Sequence, residues 1–66
     1  MNKIVGYRKM LGFTQEQMAK EFKISKQAYW SKENGQTQFS DKEKQLFKNM
    51  LIPLFPNITI DAIFFD

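Results

Sequence analysis

The sequence predicts an all-α fold, with five short helices in a single domain over residues 1–66. Three observations carry this expectation. Apolar residues recur three and four positions apart in successive segments, the spacing of one helix face. Turn and cap signals at Gly12, Ser25, Asn34-Gly35, Ser40 and Pro56-Asn57 cut the chain into five pieces. No stretch alternates long enough to make a strand, and the one short candidate, Ile58-Thr59-Ile60, has no second strand to pair with.

The first helix is expected from about Lys3 to Leu11, with Ile4, Tyr7 and Leu11 on one face. Gly12 then supplies a stop, because glycine enters the left-handed region without steric cost. The second helix starts at Thr14, where Thr14-Gln15-Glu16-Gln17 reads as a capping box. Its buried stripe is Met18, Ala19 and Phe22. The third helix follows Ser25, a good N-cap, and ends at Asn34-Gly35. Ala28 and Tyr29 point inward on it, and Lys26, Gln27, Trp30, Ser31 and Asn34 fall on the other side by the 3.6-residue period.

The fourth helix opens on a second capping box, Ser40-Asp41-Lys42-Glu43. Leu46, Phe47, Met50, Leu51 and Leu54 form its apolar stripe, with Lys42, Lys44 and Lys48 toward solvent. Pro53 ends or kinks it near Leu51 or Ile52. A last short turn is expected from Thr59 to Phe64, with Asp61 near its positive end.

Composition excludes several function classes. The chain has no cysteine and no histidine. Disulfides and thiolate metal sites are impossible, and the usual zinc ligands and nucleophile–histidine pairs are missing. Its carboxylates are scattered and there is no glycine-rich phosphate loop. The reading is therefore a protein that is not an enzyme and uses no cofactor or metal. Met1 to Leu11 is broken by Lys3, Gly6, Arg8 and Lys9, so it does not read as a secretory signal. No apolar run approaches the ~18 residues of a membrane span. A cytoplasmic location is expected.

The net charge of +3 is uneven. Residues 1–35 carry seven basic and three acidic side chains, and residues 36–66 three basic and four acidic. A basic half serves solubility in many small domains, but it also suits phosphate or an acidic protein.

The most informative stretch is Thr14 to Gly35. Two short helices are joined by Lys23-Ile24-Ser25. A tight turn between crossed helices needs a small residue where the backbones approach, and Ala19 supplies it. It needs an apolar plug in the turn, Ile24, and an inward residue on the second helix, Tyr29. Such a helix-turn-helix can place its second helix in a major groove ~12 Å wide.

Thr14-Gln15-Glu16-Gln17-Met18-Ala19, Ile24-Ser25 and Glu33-Asn34-Gly35 resemble the helix-turn-helix of the Cro/CI-type (xenobiotic-response-element-like) regulators, in particular small phage and prophage members. The resemblance extends over essentially the whole chain and implies a compact five-helix, lambda-repressor-like DNA-binding domain with its motif at about 14–35. It implies a pair between Arg8 and Glu33 that bridges the first and third helices, and such pairs can be bidentate. It places Gln15 where relatives touch a DNA phosphate, at a helix N-terminus suited to anions. It places Lys26, Gln27, Trp30 and Ser31 where relatives meet bases; lysine can donate to guanine and glutamine can bond adenine. Lys20, Lys23, Lys32, Gln36, Thr37 and Gln38 are then available to phosphates.

Two residues depart from the family pattern. Lys23 stands where many members have glycine, at a position that often needs positive φ. Lys32 stands where an apolar residue is more common, and its stem can lie on the core while its ammonium reaches water.

Trp30 is open to three readings: part of the core, a contact to a thymine methyl or sugar, or an anchor in a protein interface, where tryptophan is favoured. Phe55, Ile63, Phe64 and Phe65 are either core or a self-association patch; a dimer would match two-fold operators. The resemblance implies a phage or prophage transcriptional regulator that binds operator DNA in a lysis–lysogeny switch. The alternative is a modulator, or antirepressor, that binds a partner phage repressor through the same basic, aromatic face.

Overall fold

Each helix begins where a polar side chain closes its first turn. A computed structural model describes residues 2–65 and contains five helices in the order α1 Lys3–Leu11, α2 Gln15–Phe22, α3 Lys26–Glu33, α4 Asp41–Leu51 and α5 Ile60–Phe64. Asn2 Oδ1 accepts from the Ile4 and Val5 amides at the head of α1. The expected capping boxes are present: Thr14 and Gln17 exchange hydrogen bonds of 2.8 and 3.1 Å, as do Ser40 and Glu43. Ser25 and Thr59 cap α3 and α5 through the Ala28 and Ala62 amides. These bonds satisfy donors that a helix start leaves open.

The stops explain the turns. At the ends of α1, α2 and α3 one residue takes the left-handed region: Gly12 at φ 78°, Lys23 at φ 59° and Gly35 at φ 81°. Each carries the same pair of backbone bonds; in α2, Lys23 N–H donates to the Lys20 carbonyl and Ile24 N–H to that of Ala19. This is the Schellman closure, which turns the chain sharply and satisfies late carbonyls. Lys23 adopts the glycine-like conformation expected of its position, so the tight turn forms with a side chain there.

The core is Met18, Ala19, Phe22, Tyr29, Phe39, Phe47, Leu51 and Ile63, with Ile4, Tyr7, Leu11, Phe13, Ile24, Leu46, Met50, Ile58 and Phe64 packed around it. Thus Ala19 and Tyr29 are buried and Ile24 is half-buried against them, as the turn requires. Aromatic rings meet mostly edge-on: Phe22 lies 5.7 Å from Tyr29, 5.9 Å from Phe39 and 6.2 Å from Phe47. Phe64 adds contacts of 5.3 Å to Phe39 and 5.9 Å to Phe47. Such geometry adds ~0.5–1.5 kcal/mol per pair beyond area burial.

Several expectations are corrected. Leu54 does not continue the α4 stripe: helix α4 ends at Leu51 ahead of Pro53, and Leu54 is 49% exposed beyond the break. The C-terminal apolar group divides: Ile63 is buried and Phe64 half-buried, while Phe55 and Phe65 are exposed. Lys44 and Lys48 are half-buried rather than fully in solvent, and the Lys44 Nζ lies 4.4 Å from the centre of the Phe65 ring. Phe39, in the loop before α4, is a buried residue that helical periodicity could not reveal. Among the described residues there is no strand, and no helix is long and apolar enough to cross a membrane.

Candidate functional site

Helix α3 has an inward side held by one carboxylate. Glu33 is 3% exposed and accepts four hydrogen bonds on its two oxygens. Arg8 Nε donates to Oε2 at 2.7 Å and Arg8 Nη2 to Oε1 at 3.4 Å. Tyr29 Oη donates to Oε2 at 2.7 Å, and Gln15 Nε2 to Oε1 at 2.9 Å. Arg8 also reaches the Phe13 carbonyl at 2.8 Å, and Asn2 Nδ2 donates to the Glu33 carbonyl at 2.6 Å. The expected Arg8–Glu33 bridge between α1 and α3 therefore exists, at the centre of a larger junction. It ties α1, the head of α2 and the end of α3 together. Among the described residues no buried side-chain polar atom is left without a partner.

The charges follow from this arrangement. Burial by itself would raise the Glu33 carboxyl, but the bonds from Arg8, Gln15 and Tyr29 outweigh it and hold the group below the usual carboxylate range. Burial, together with the neighbouring Glu33 carboxylate, pushes the Tyr29 hydroxyl well above its ordinary value. Tyr29 is thus a neutral donor and Glu33 a charged acceptor.

Gln15 lies in this network, which changes its reading. Its side-chain amide is committed to Glu33, so the group is a positioning residue rather than a free phosphate donor. The open amides of the first turn of α2 remain the anion-compatible feature there. Lys32 is likewise engaged: its Nζ stands 2.6 Å from Glu43 Oε1, with both side chains largely covered. Burial would raise the Glu43 carboxyl, but Lys32 and the Ser40 amide lower it on balance. Lys32 therefore links α3 to α4 and is not presented to a phosphate; the expectation that its ammonium reaches open water is corrected.

The outward side of α3 presents Lys26, Gln27 and Trp30, all exposed, with Asn34 beyond them at the C-cap. Ser31 is half-buried at the edge of this row, and its carbonyl accepts from the Gln36 and Thr37 amides. Trp30 is 44% exposed, which removes it from the core. Lys20 on α2 and Lys23 in the turn are exposed, as are Gln36, Thr37 and Gln38 after α3.

Sequence reasoning passed over Lys9. An open cleft of about 600 Å³ runs between the end of α1 and the heads of α2 and α3, lined by Arg8, Lys9, Gly12, Phe13, Thr14, Gln15, Glu16 and Lys26. The sequence carried no signal joining Lys9 to Lys26, because the Gly12 turn brings them to one cleft. Glu16 lies in the same cleft and offsets part of that positive charge.

Lys26, Gln27, Trp30, Lys20 and Lys23 are thus exposed on α2, α3 and the turn between them, while Gln15 and Lys32 are withdrawn into the scaffold. No family model, curated protein or solved structure matches this chain.

Proposed function

We propose that the chain is a DNA-binding transcriptional regulator of phage or prophage type, with α2 and α3 as its helix-turn-helix and α3 as the helix that reads the major groove. The observation that carries this reading is the division of α3. Tyr29 and Glu33 hold it from inside, and Lys26, Gln27 and Trp30 stand free outside. Lys26 suits guanine acceptors, Gln27 suits adenine, and the Trp30 ring suits a thymine methyl or sugar. Lys20, Lys23 and the amides heading α2 lie where backbone phosphates would run, with Lys9 facing the cleft beside them. The resemblance of Thr14–Ala19, Ile24-Ser25 and Glu33–Gly35 to the Cro/CI-type motif supports the same reading.

The test is calorimetric titration with a duplex selected from a randomised pool. Affinity falls steeply with salt as lysines release counterions. Lys26→Ala and Gln27→Ala each cost ~1–3 kcal/mol and relax the selected base preference. Unchanged affinity and preference in both variants refute the assignment of α3.

A second reading rests on Trp30. A 44% exposed indole in the middle of a basic row is also what a protein-binding hot spot presents. In that case the chain modulates a phage repressor by covering it with the same face. It would bind duplex weakly on its own, and Trp30→Ala would abolish co-elution with a repressor encoded alongside it.

A further inference from the structure

Two residues on the outward side of α3 are less available than their positions suggest. Asn34 turns back on its own helix, where its Nδ2 donates to the Trp30 carbonyl at 2.9 Å. Ser31 is half-buried at the edge of the row. The exposed groups left to meet a ligand on this helix are Lys26, Gln27 and Trp30. Lys26 and Gln27 stand four and three residues before Trp30, the spacings that bring helix side chains together on one face.

Trp30 is the apolar member of that set. Asn34 uses its carbonyl, but no hydrogen bond or ring contact among the described residues uses its indole. The other large exposed apolar side chains, Met10, Ile52, Leu54, Phe55 and Phe65, lie on α1, in the segment after α4 or just past α5. A protein-binding hot spot sits in a desolvated, well-packed cluster. The α3 row instead gives Trp30 a lysine and a glutamine.

A single apolar group set among polar ones has one counterpart in the major groove. Across the four base pairs the groove edge carries donors, acceptors and one apolar group, the thymine methyl, with the O4 acceptor beside it. Indole matches both features, having an apolar ring and one N–H donor with no acceptor. Cytosine lacks the methyl and presents a donor from N4 where thymine has its acceptor.

We propose that Trp30 is the specificity-determining residue that selects thymine, with its ring on the methyl group and its Nε1–H toward O4. The inference rests on the DNA-binding reading above and gives that site its base. It also fixes a register. Helix positions three apart lie about 5–6 Å from each other and bases rise about 3.4 Å per step, so the thymine falls within about two base pairs of the one Gln27 reads.

The experiment takes the duplex selected from the randomised pool and replaces its thymines one at a time by deoxyuridine. This removes the methyl group and keeps the hydrogen-bonding edge. Affinity for the 66-residue chain falls about fivefold at one thymine per bound chain, the worth of one buried methyl group, and holds at the others. That thymine lies within about two base pairs of the pair whose preference relaxes in Gln27→Ala. Trp30→Ala weakens binding to the thymine duplex about fivefold or more and binds the thymine and deoxyuridine duplexes alike. Trp30→Phe, which keeps an aromatic face, retains the preference for thymine. Trp30 is 44% exposed, and both variants melt near the parent temperature. Deoxyuridine tolerated at every position overturns the inference and leaves the DNA-binding reading standing. A deoxyuridine penalty that persists in Trp30→Ala does the same. So does a Trp30→Ala loss that is equal for every duplex, which assigns the ring to a sugar. Failure of the pool to yield any bound duplex sinks both. Duplex binding untouched in Trp30→Ala, with co-elution with a repressor abolished, gives the indole to a protein partner and overturns the inference.

Discussion

The two halves of this domain are held by opposite means. Around Glu33, four donors from α1, α2 and α3 converge on one buried carboxylate. Around Phe47, rings from α2, α4, α5 and the Phe39 loop meet edge-on or tilted. Hydrogen bonds are directional, so the first junction fixes orientation as well as contact. Ring packing is more forgiving, because neighbouring side chains can shift to cover a smaller residue. The half that carries the α3 surface is the half built on direction.

The strongest way to break this contrast is Glu33→Ala. It leaves Arg8, Gln15 and the Tyr29 hydroxyl without their shared acceptor in a covered site. Losing one partner of a buried charge pair costs ~3–5 kcal/mol. In a domain whose total stability is on the order of 5–15 kcal/mol, urea denaturation will show a large fraction of it gone.

Phe47→Leu is milder, at ~1–2 kcal/mol, since it keeps an apolar residue at a fully buried position and loses ring contacts. The two substitutions also separate by pH. The folded-state pKa of Glu33 is lowered, so its stabilisation is present above the unfolded value of ~4.3 and is lost as pH falls through the folded value. Acid titration of stability will keep this loss in Phe47→Leu. In Glu33→Ala it will shrink to the part owed to other carboxylates such as Glu43, whose pKa is lowered by Lys32. Equal acid sensitivity in both variants would remove the distinction between the halves.

The smallest effect sharpens the comparison at the turn. Lys23 holds φ 59°, a conformation glycine adopts without strain. Lys23→Gly will raise stability by ~0.5–1 kcal/mol, the strain relieved less the entropy glycine adds to the unfolded chain. Thermal melts check it.

What could be read in the sequence follows the same divide. Local grammar is plain: Thr14, Ser25 and Ser40 each cap a helix, and Pro53 marks the limit of α4. Ala19, Ile24 and Tyr29 pack as a tight turn demands. The Arg8–Glu33 pair was anticipated through a family resemblance, not through spacing. Gln15 joining it was not, because an amide eighteen residues from its partner has no sequence signature. Lys32 found Glu43 on another helix for the same reason. Phe39 lies in a loop where periodicity has no meaning, and Leu54 kept the helical spacing after the helix itself had ended.

Trp30 is the chain's one tryptophan, and it stands half open to water at the centre of the α3 row. Its emission is therefore an intrinsic optical signal for that face. An indole leaving water shifts its fluorescence to shorter wavelength, while stacking against a base tends to quench it. Unlabelled protein in a cuvette can thus report whether that face has found a ligand.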